Sequence, residues 1–124
     1  MRVFKNKAFN KWAAKEGLSD DVLLAAVDEM ARGLVDADLG GHVVKKRVAL
    51  AGRGKSGGVR TLLAYKVGNK AFFVYGFAKN VRANIKDEEL KALKRYAREL
   101  LSYSDKLLTE AIKYGELIEV ENDG

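Results

Sequence analysis

Apolar positions recur three and four residues apart at the start of the chain, two apart in the middle, and three and four apart again towards the end. In the first third, Phe9, Trp12 and Ala13 share one face of a helix predicted over residues 7–16. Asn6 is placed to cap it and Gly17 to stop it. Ser19 opens a second helix, with Asp20 and Asp21 in the first turn, where carboxylates suit the positive end of the helix dipole. Leu23, Leu24, Val27 and Met30 line its apolar face, and Gly33 ends it. Met1 to Phe4 reads as a short edge strand.

From Val43 to Leu50 the period becomes two, with Val44, Val48 and Leu50 on one face and Lys45, Arg47 and Ala49 on the other. Over residues 59–67, Val59, Thr61, Leu63, Tyr65 and Val67 alternate with Arg60, Leu62, Ala64 and Lys66. Gly68-Asn69 marks a short hairpin turn. Residues 71–78 are apolar on both faces, Phe73, Tyr75 and Phe77 against Phe72 and Val74, as in a central strand. These runs predict a three-stranded antiparallel meander, extended to four strands if residues 2–4 join it. Helical spacing returns at Leu90, Leu93, Tyr96, Ala97, Leu100 and Leu101, in a helix beginning at Lys86 or Asp87. Ser104-Asp105 caps another helix with Leu107, Leu108, Ala111 and Ile112, and residues 116–120 form a short terminal strand. The expected fold is a single α+β domain over residues 1–124, with an N-terminal helical pair, an antiparallel three- to four-stranded sheet and C-terminal helices.

Charge sharpens this picture. The 124 residues carry 23 Lys and Arg against 17 Asp and Glu. Ten of the cations lie between Leu39 and Ile85, where no carboxylate occurs; with those ten set aside, the remainder has 13 cations against 17 acids. A basic stripe set into an acidic body concentrates polyanions, the footprint expected of a nucleic-acid-binding surface. Cysteine is absent and His42 is the sole histidine, which argues against disulfides and a protein-bound zinc site, and no cofactor is expected. No apolar run reaches the roughly 18–20 residues of a membrane helix. The first residues lack the apolar core of a secretion leader, so a cytoplasmic location is expected.

Gly54-Lys55-Ser56 resembles the end of a phosphate-cradling loop. That motif wants glycine where Ala49 stands and a helix directly afterwards, whereas Gly57-Gly58 and a strand follow. A basic, glycine-rich hairpin loop whose N–H groups approach phosphate is the better reading. The aromatic residues Trp12, Phe72, Phe73, Tyr75 and Phe77 could stack bases, but their spacing assigns most to the core. Lys45 and Arg47 share a strand face, Arg60 lies on the neighbouring strand, and Lys79 and Arg82 follow the third. Such a cluster suits metal-independent RNA cleavage, in which a 2′-hydroxyl attacks phosphorus and fixed cations stabilise the charge that develops.

Three segments, Val44-Lys45-Lys46-Arg47-Val48-Ala49, Gly54-Lys55-Ser56-Gly57-Gly58-Val59-Arg60-Thr61 and Phe73-Val74-Tyr75-Gly76-Phe77-Ala78-Lys79-Asn80, together resemble the RelE/HigB-type toxins of bacterial type II toxin–antitoxin modules. The resemblance spans most of the chain. It implies a small α+β fold, endonucleolytic cleavage of ribosome-bound mRNA, and inhibition by a tightly bound antitoxin, commonly of helix-turn-helix type. It also implies catalytic roles for Lys45, Arg47, Arg60 and Lys79, with Arg60 at the scissile phosphate. Lys46, Arg53, Lys55 and Arg82 are expected to contact nucleic acid. The chain departs from the family pattern at Asn84-Ile85, where the best-studied branch has a tyrosine. This leaves Lys45, Lys79 and His42 as candidates for proton transfer. Two alternatives stay open: a non-catalytic, gyrase-binding toxin of the ParE branch, and a non-toxic RNA-binding domain.

Overall fold

The computed structural model describes residues 1–50, 54–82 and 84–121, with residues 54–57 described by backbone alone. The chain opens with a strand, β1 (Arg2–Asn6), ahead of the helical pair. Asn6 ends that strand and caps α1 (Lys7–Glu16): its side-chain oxygen accepts from the Phe9 N–H at 2.7 Å, and its amide nitrogen donates to the Val74 carbonyl. Gly17 stops the helix in the left-handed region, at φ 76°. Ser19 caps α2 (Asp20–Ala31) through the Val22 N–H. Caps of this kind contribute ~1 kcal/mol each, so both helices begin where their polar residues dictate.

The strands β2 (Ala37–Asp38), β3 (Val43–Leu50), β4 (Gly54–Lys66) and β5 (Lys70–Ala78) follow, then α3 (Asp87–Leu101), α4 (Asp105–Lys113) and β6 (Leu117–Glu119). They make one sheet in the order β2-β3-β4-β5-β1-β6, with β3, β4 and β5 forming the expected antiparallel meander. The sheet differs from the expectation in two respects. It has six strands: β2 is too short to show a period, and the expected terminal strand, β6, joins the sheet beside β1. The other difference is that β1 is interior, parallel to β5 on one side and antiparallel to β6 on the other. Its consecutive residues Val3 and Phe4 are both buried, one on each face, as a strand covered on both sides requires.

Each face of the sheet carries its own core. On one, Phe9, Ala13, Leu23, Val27 and Met30 of α1 and α2 pack on Val48, Val59, Leu63 and Phe73. On the other, Ala97, Leu100, Leu108 and Ala111 of α3 and α4 pack on Phe4, Leu62, Ala64 and Phe72. A register shift pairs Leu62 with Tyr75 but Leu63 with Phe73, leaving Val74 as the extra residue of a bulge. The expected grouping of Phe73 with Tyr75 and Phe77 is therefore broken. Phe73 stacks on Phe9 at 5.1 Å beneath α1, whereas Phe77 belongs to the opposite core. Gly76 lies under the Trp12 ring, and a Cβ there would run into it. Among the described residues, no helix is long and apolar enough to cross a membrane.

Candidate nucleic-acid interface

On the sheet face that also carries α3, two rows cross the meander. One runs Arg47–Arg60–Phe77 and the next runs Lys45–Leu62–Tyr75. Direct strand partners stand about 5 Å apart, and alternate residues of one strand about 7 Å apart. Lys45, Arg47 and Arg60 therefore share one patch. Like charges directly opposite one another destabilise a strand pair, so the facing arginines have a cost that an anion between them would remove.

Arg60 is half-buried, and its Nη1 is fully buried without a hydrogen-bond partner among the described residues. Among the described residues, Lys45, Arg60 and Lys79 have no carboxylate within 4.0 Å, and Arg47 has only Asp36 at that limit. A buried guanidinium nitrogen with nothing to donate to is the strongest indication of a ligand in the molecule. Among the described residues, the other unpartnered buried group, the Tyr65 hydroxyl, lies in the opposite core and is uncharged; burial pushes its pKa up. Lys79 is exposed in the turn after β5, where the Ala78 carbonyl accepts from the Val81 and Arg82 N–H groups. Ala78 pairs with Val59, so this turn adjoins Arg60.

Two expected nucleic-acid contacts are corrected. Lys46 belongs to the opposite face, as strand alternation requires. It is 7% exposed, donates from Nζ to the Leu34 carbonyl at 2.9 Å and pairs with Glu29 at 3.2 Å. Arg82 is committed to internal contacts: it forks onto the Glu89 carboxylate, donates to the Tyr75 hydroxyl at 3.0 Å and lies 5.8 Å from the Phe77 ring centroid. The Arg82 hydrogen bonds, aided by the Lys86 N–H, pull the Glu89 pKa from its ordinary value down to about 2, and the arginine's is raised in turn. The pair ties the start of α3 to β5. Arg53 and the Lys55 side chain lie outside the described residues.

His42 is exposed at the far end of β3, with a positive φ of 64°, and its carbonyl accepts from the Tyr65 N–H. Tyr65 is five strand positions from Arg60, about 16 Å, so His42 is not part of the patch. The Gly54-Lys55-Ser56 segment begins a strand and not a helix, which removes the nucleotide-binding loop from consideration.

The sequence reading missed a second group of cations. Lys91, Lys94, Arg95 and Arg98 recur at three- and four-residue spacing along α3, outside the central stripe, and none is ion-paired among the described residues. Lys94 lies against Gly40 and Gly41, just ahead of β3. Tyr75, read as core, is half-buried and shares its row with Lys45.

These cations form a basic patch, and kinship identifies its setting. A family model described as the RelE toxin of the RelE / RelB toxin–antitoxin system matches residues 1–120. The chain belongs to the RelE toxin family. A search of curated proteins found no significant match. Membership makes this chain the toxin half of a toxin–antitoxin pair, and it implies an antitoxin as protein partner. The basic patch of this RelE-family toxin is built by β3 and β4, two of the three strands that carry the sequence resemblance to the toxins.

Proposed function

We propose that this RelE-family toxin arrests translation by cutting mRNA on the ribosome, in the cytoplasm, without a metal. The observation that carries this reading is the buried, unpartnered Nη1 of Arg60, directly across the strand pair from Arg47. Two guanidinium groups at that spacing suit the non-bridging oxygens of one phosphodiester. The 2′-hydroxyl attacks the adjacent phosphorus, a P–O bond forms, and the bond to the 5′-oxygen breaks. A 2′,3′-cyclic phosphate and a free 5′-hydroxyl result. Negative charge rises on the phosphoryl oxygens in the transition state, where Arg60 and Arg47 are already fixed. The Lys45 ammonium supplies the proton to the departing 5′-oxygen, while the 2′-hydroxyl proton passes to solvent. Lys79 and the cations of α3 hold the flanking RNA through its phosphates. The partner that silences the toxin is an antitoxin of helix-turn-helix type.

The test is to map mRNA 5′ ends after brief induction, for the wild type and for Arg60→Ala at matched soluble expression. New 5′ ends should appear in coding sequence with the wild type and vanish with Arg60→Ala. Equal cutting by both chains would refute the role of Arg60. Arrested growth with intact mRNA and DNA-damage signalling would refute the nuclease reading in favour of a gyrase-type target.

A further inference from the structure

The side of β5 away from β4 has a gap in its pairing, and the hydrogen-bond pattern shows which residue it leaves bare. Asp36 takes the Lys45 carbonyl and the Arg47 N–H from outside the meander, so Lys46 between them turns its backbone groups inward to Thr61. Thr61 therefore turns away from β5, and its pairing with Gly76 carries no hydrogen bonds. The Gly76 N–H and carbonyl point to the opposite side of β5, beyond the place where pairing with β1 ends at Lys5 and Phe73. The neighbouring carbonyls on that side are taken, Val74 by the Asn6 amide and Ala78 by the Val81 and Arg82 N–H groups. Between them Gly76 borders a cavity of about 340 Å³. Trp12 covers it from the α1 face, where a Cβ on Gly76 would meet its ring. Phe77 and Arg82 line it from the face of Arg60, with exposed Val81 and half-buried Glu16 also in its wall.

We infer that this cavity takes a purine base, from the nucleotide beside the phosphate held by Arg60. The inference rests on RNA being the substrate, and deepens that reading by giving one base a seat. An extended residue with its N–H and carbonyl both free matches the adjacent acceptor and donor on the edge of a base. In adenine, a ring nitrogen accepts from the Gly76 N–H and the exocyclic amine donates to the Gly76 carbonyl. The base then lies between the Trp12 ring and the Arg82 guanidinium, the two kinds of flat group on which unpaired bases stack. Glu89 and the Tyr75 hydroxyl engage the Arg82 N–H groups and so hold that guanidinium in place. A purine gains more than a pyrimidine because more ring area is covered. Glu16 repels a phosphate from the cavity, which favours entry of the uncharged base. Phe77, next to Gly76, is the strand partner of Arg60, so base seat and phosphate patch lie one strand apart.

Trp12 is the sole tryptophan of the chain, so its fluorescence reports on this cavity in the unaltered, full-length toxin. Adenosine and guanosine monophosphates should quench it, half-maximally at about 1 mM, and should shift the Gly76 amide in NMR spectra. The pyrimidine monophosphates should bind about threefold more weakly, and ribose 5-phosphate, which has no base, about tenfold or more. Dimethylating the exocyclic amine of adenosine monophosphate keeps the rings but removes the donor, and should weaken binding about tenfold. Inorganic phosphate should leave the emission unchanged. In mapped 5′ ends, Trp12→Leu, shown to be folded by NMR, should lose a wild-type preference for a purine beside the cut. No quenching by either purine, equal binding of ribose 5-phosphate, or indifference to the dimethylation would overturn the inference. So would a peptide of alternating valine and threonine that protects the Gly76 amide where the purines do not, since the edge would then be a protein-docking strand. A toxin that cuts RNA yet is not quenched refutes only the base seat; one quenched by purines yet cutting nothing keeps the seat and refutes only the nuclease.

Discussion

Replacing Arg60 by Met should make the protein more stable while ending its activity. The substitution keeps a long apolar stem between Arg47 and Phe77 and removes the guanidinium whose Nη1 is buried and unpaired. An unsatisfied buried polar group costs about 1–3 kcal/mol, and relieving a like-charged strand pair adds ~0.2–1 kcal/mol. Some packing around the guanidinium is lost, so a net gain of about 1–3 kcal/mol is expected. For a chain of this size that corresponds to a rise in Tm of roughly 3–12 °C. Urea and thermal unfolding in phosphate-free, low-salt buffer measure it. Millimolar phosphate at constant ionic strength should stabilise the wild type and leave Arg60→Met unmoved, since only the former retains the paired arginines. Adding Arg47→Met completes a double-mutant cycle, in which the second substitution should gain less than it does alone. An Arg60→Met protein that melts below the wild type and answers phosphate equally would show that Arg60 is a structural residue, and the phosphate site would be refuted.

Acid should unfold the protein partly through Glu89. Its carboxyl is depressed in the folded state, so its contribution is complete above the ordinary value of 4.5 and is lost as pH falls through about 2. Glu89→Gln should flatten the urea midpoint across that window, leaving the smaller loss due to Glu119, whose pKa is lowered by its hydrogen bonds to Arg2. An unchanged acid limb would refute the clamp between Arg82 and Glu89. Lys46→Met should cost about 1–3 kcal/mol, because it strands the Leu34 carbonyl. RNA cleavage per folded molecule should stay at the wild-type level; loss of cleavage with the fold intact would put Lys46 back in the substrate site.

Caps and periodicity made much of this legible in the sequence. Asn6, Gly17, Ser19 and Ser104 mark helix ends that the structure reproduces, because each acts on neighbours three or four residues away. The meander was readable from period two, and the same alternation already set Lys46 apart from Lys45 and Arg47, a signal overridden by counting charge alone. The bulge at Val74 left no mark in the run of apolar residues, so the split between Phe73 and Phe77 could not be read. Arg82 looked free because its partner Glu89 lies across a non-helical turn, where spacing predicts nothing. The facing of Arg47 and Arg60 followed from strand alternation only once the β3–β4 register was known.

The placing of β1 bears on when this toxin becomes harmful. The hairpins that present the cations join neighbours in sequence, whereas the first strand must await both β5 and the still more distant β6 to gain its two flanks. Distant pairings of this kind close slowly. A nascent chain therefore finishes its sheet only after β6 has been made, and that delay gives a waiting inhibitor time to meet its target before the poison is complete.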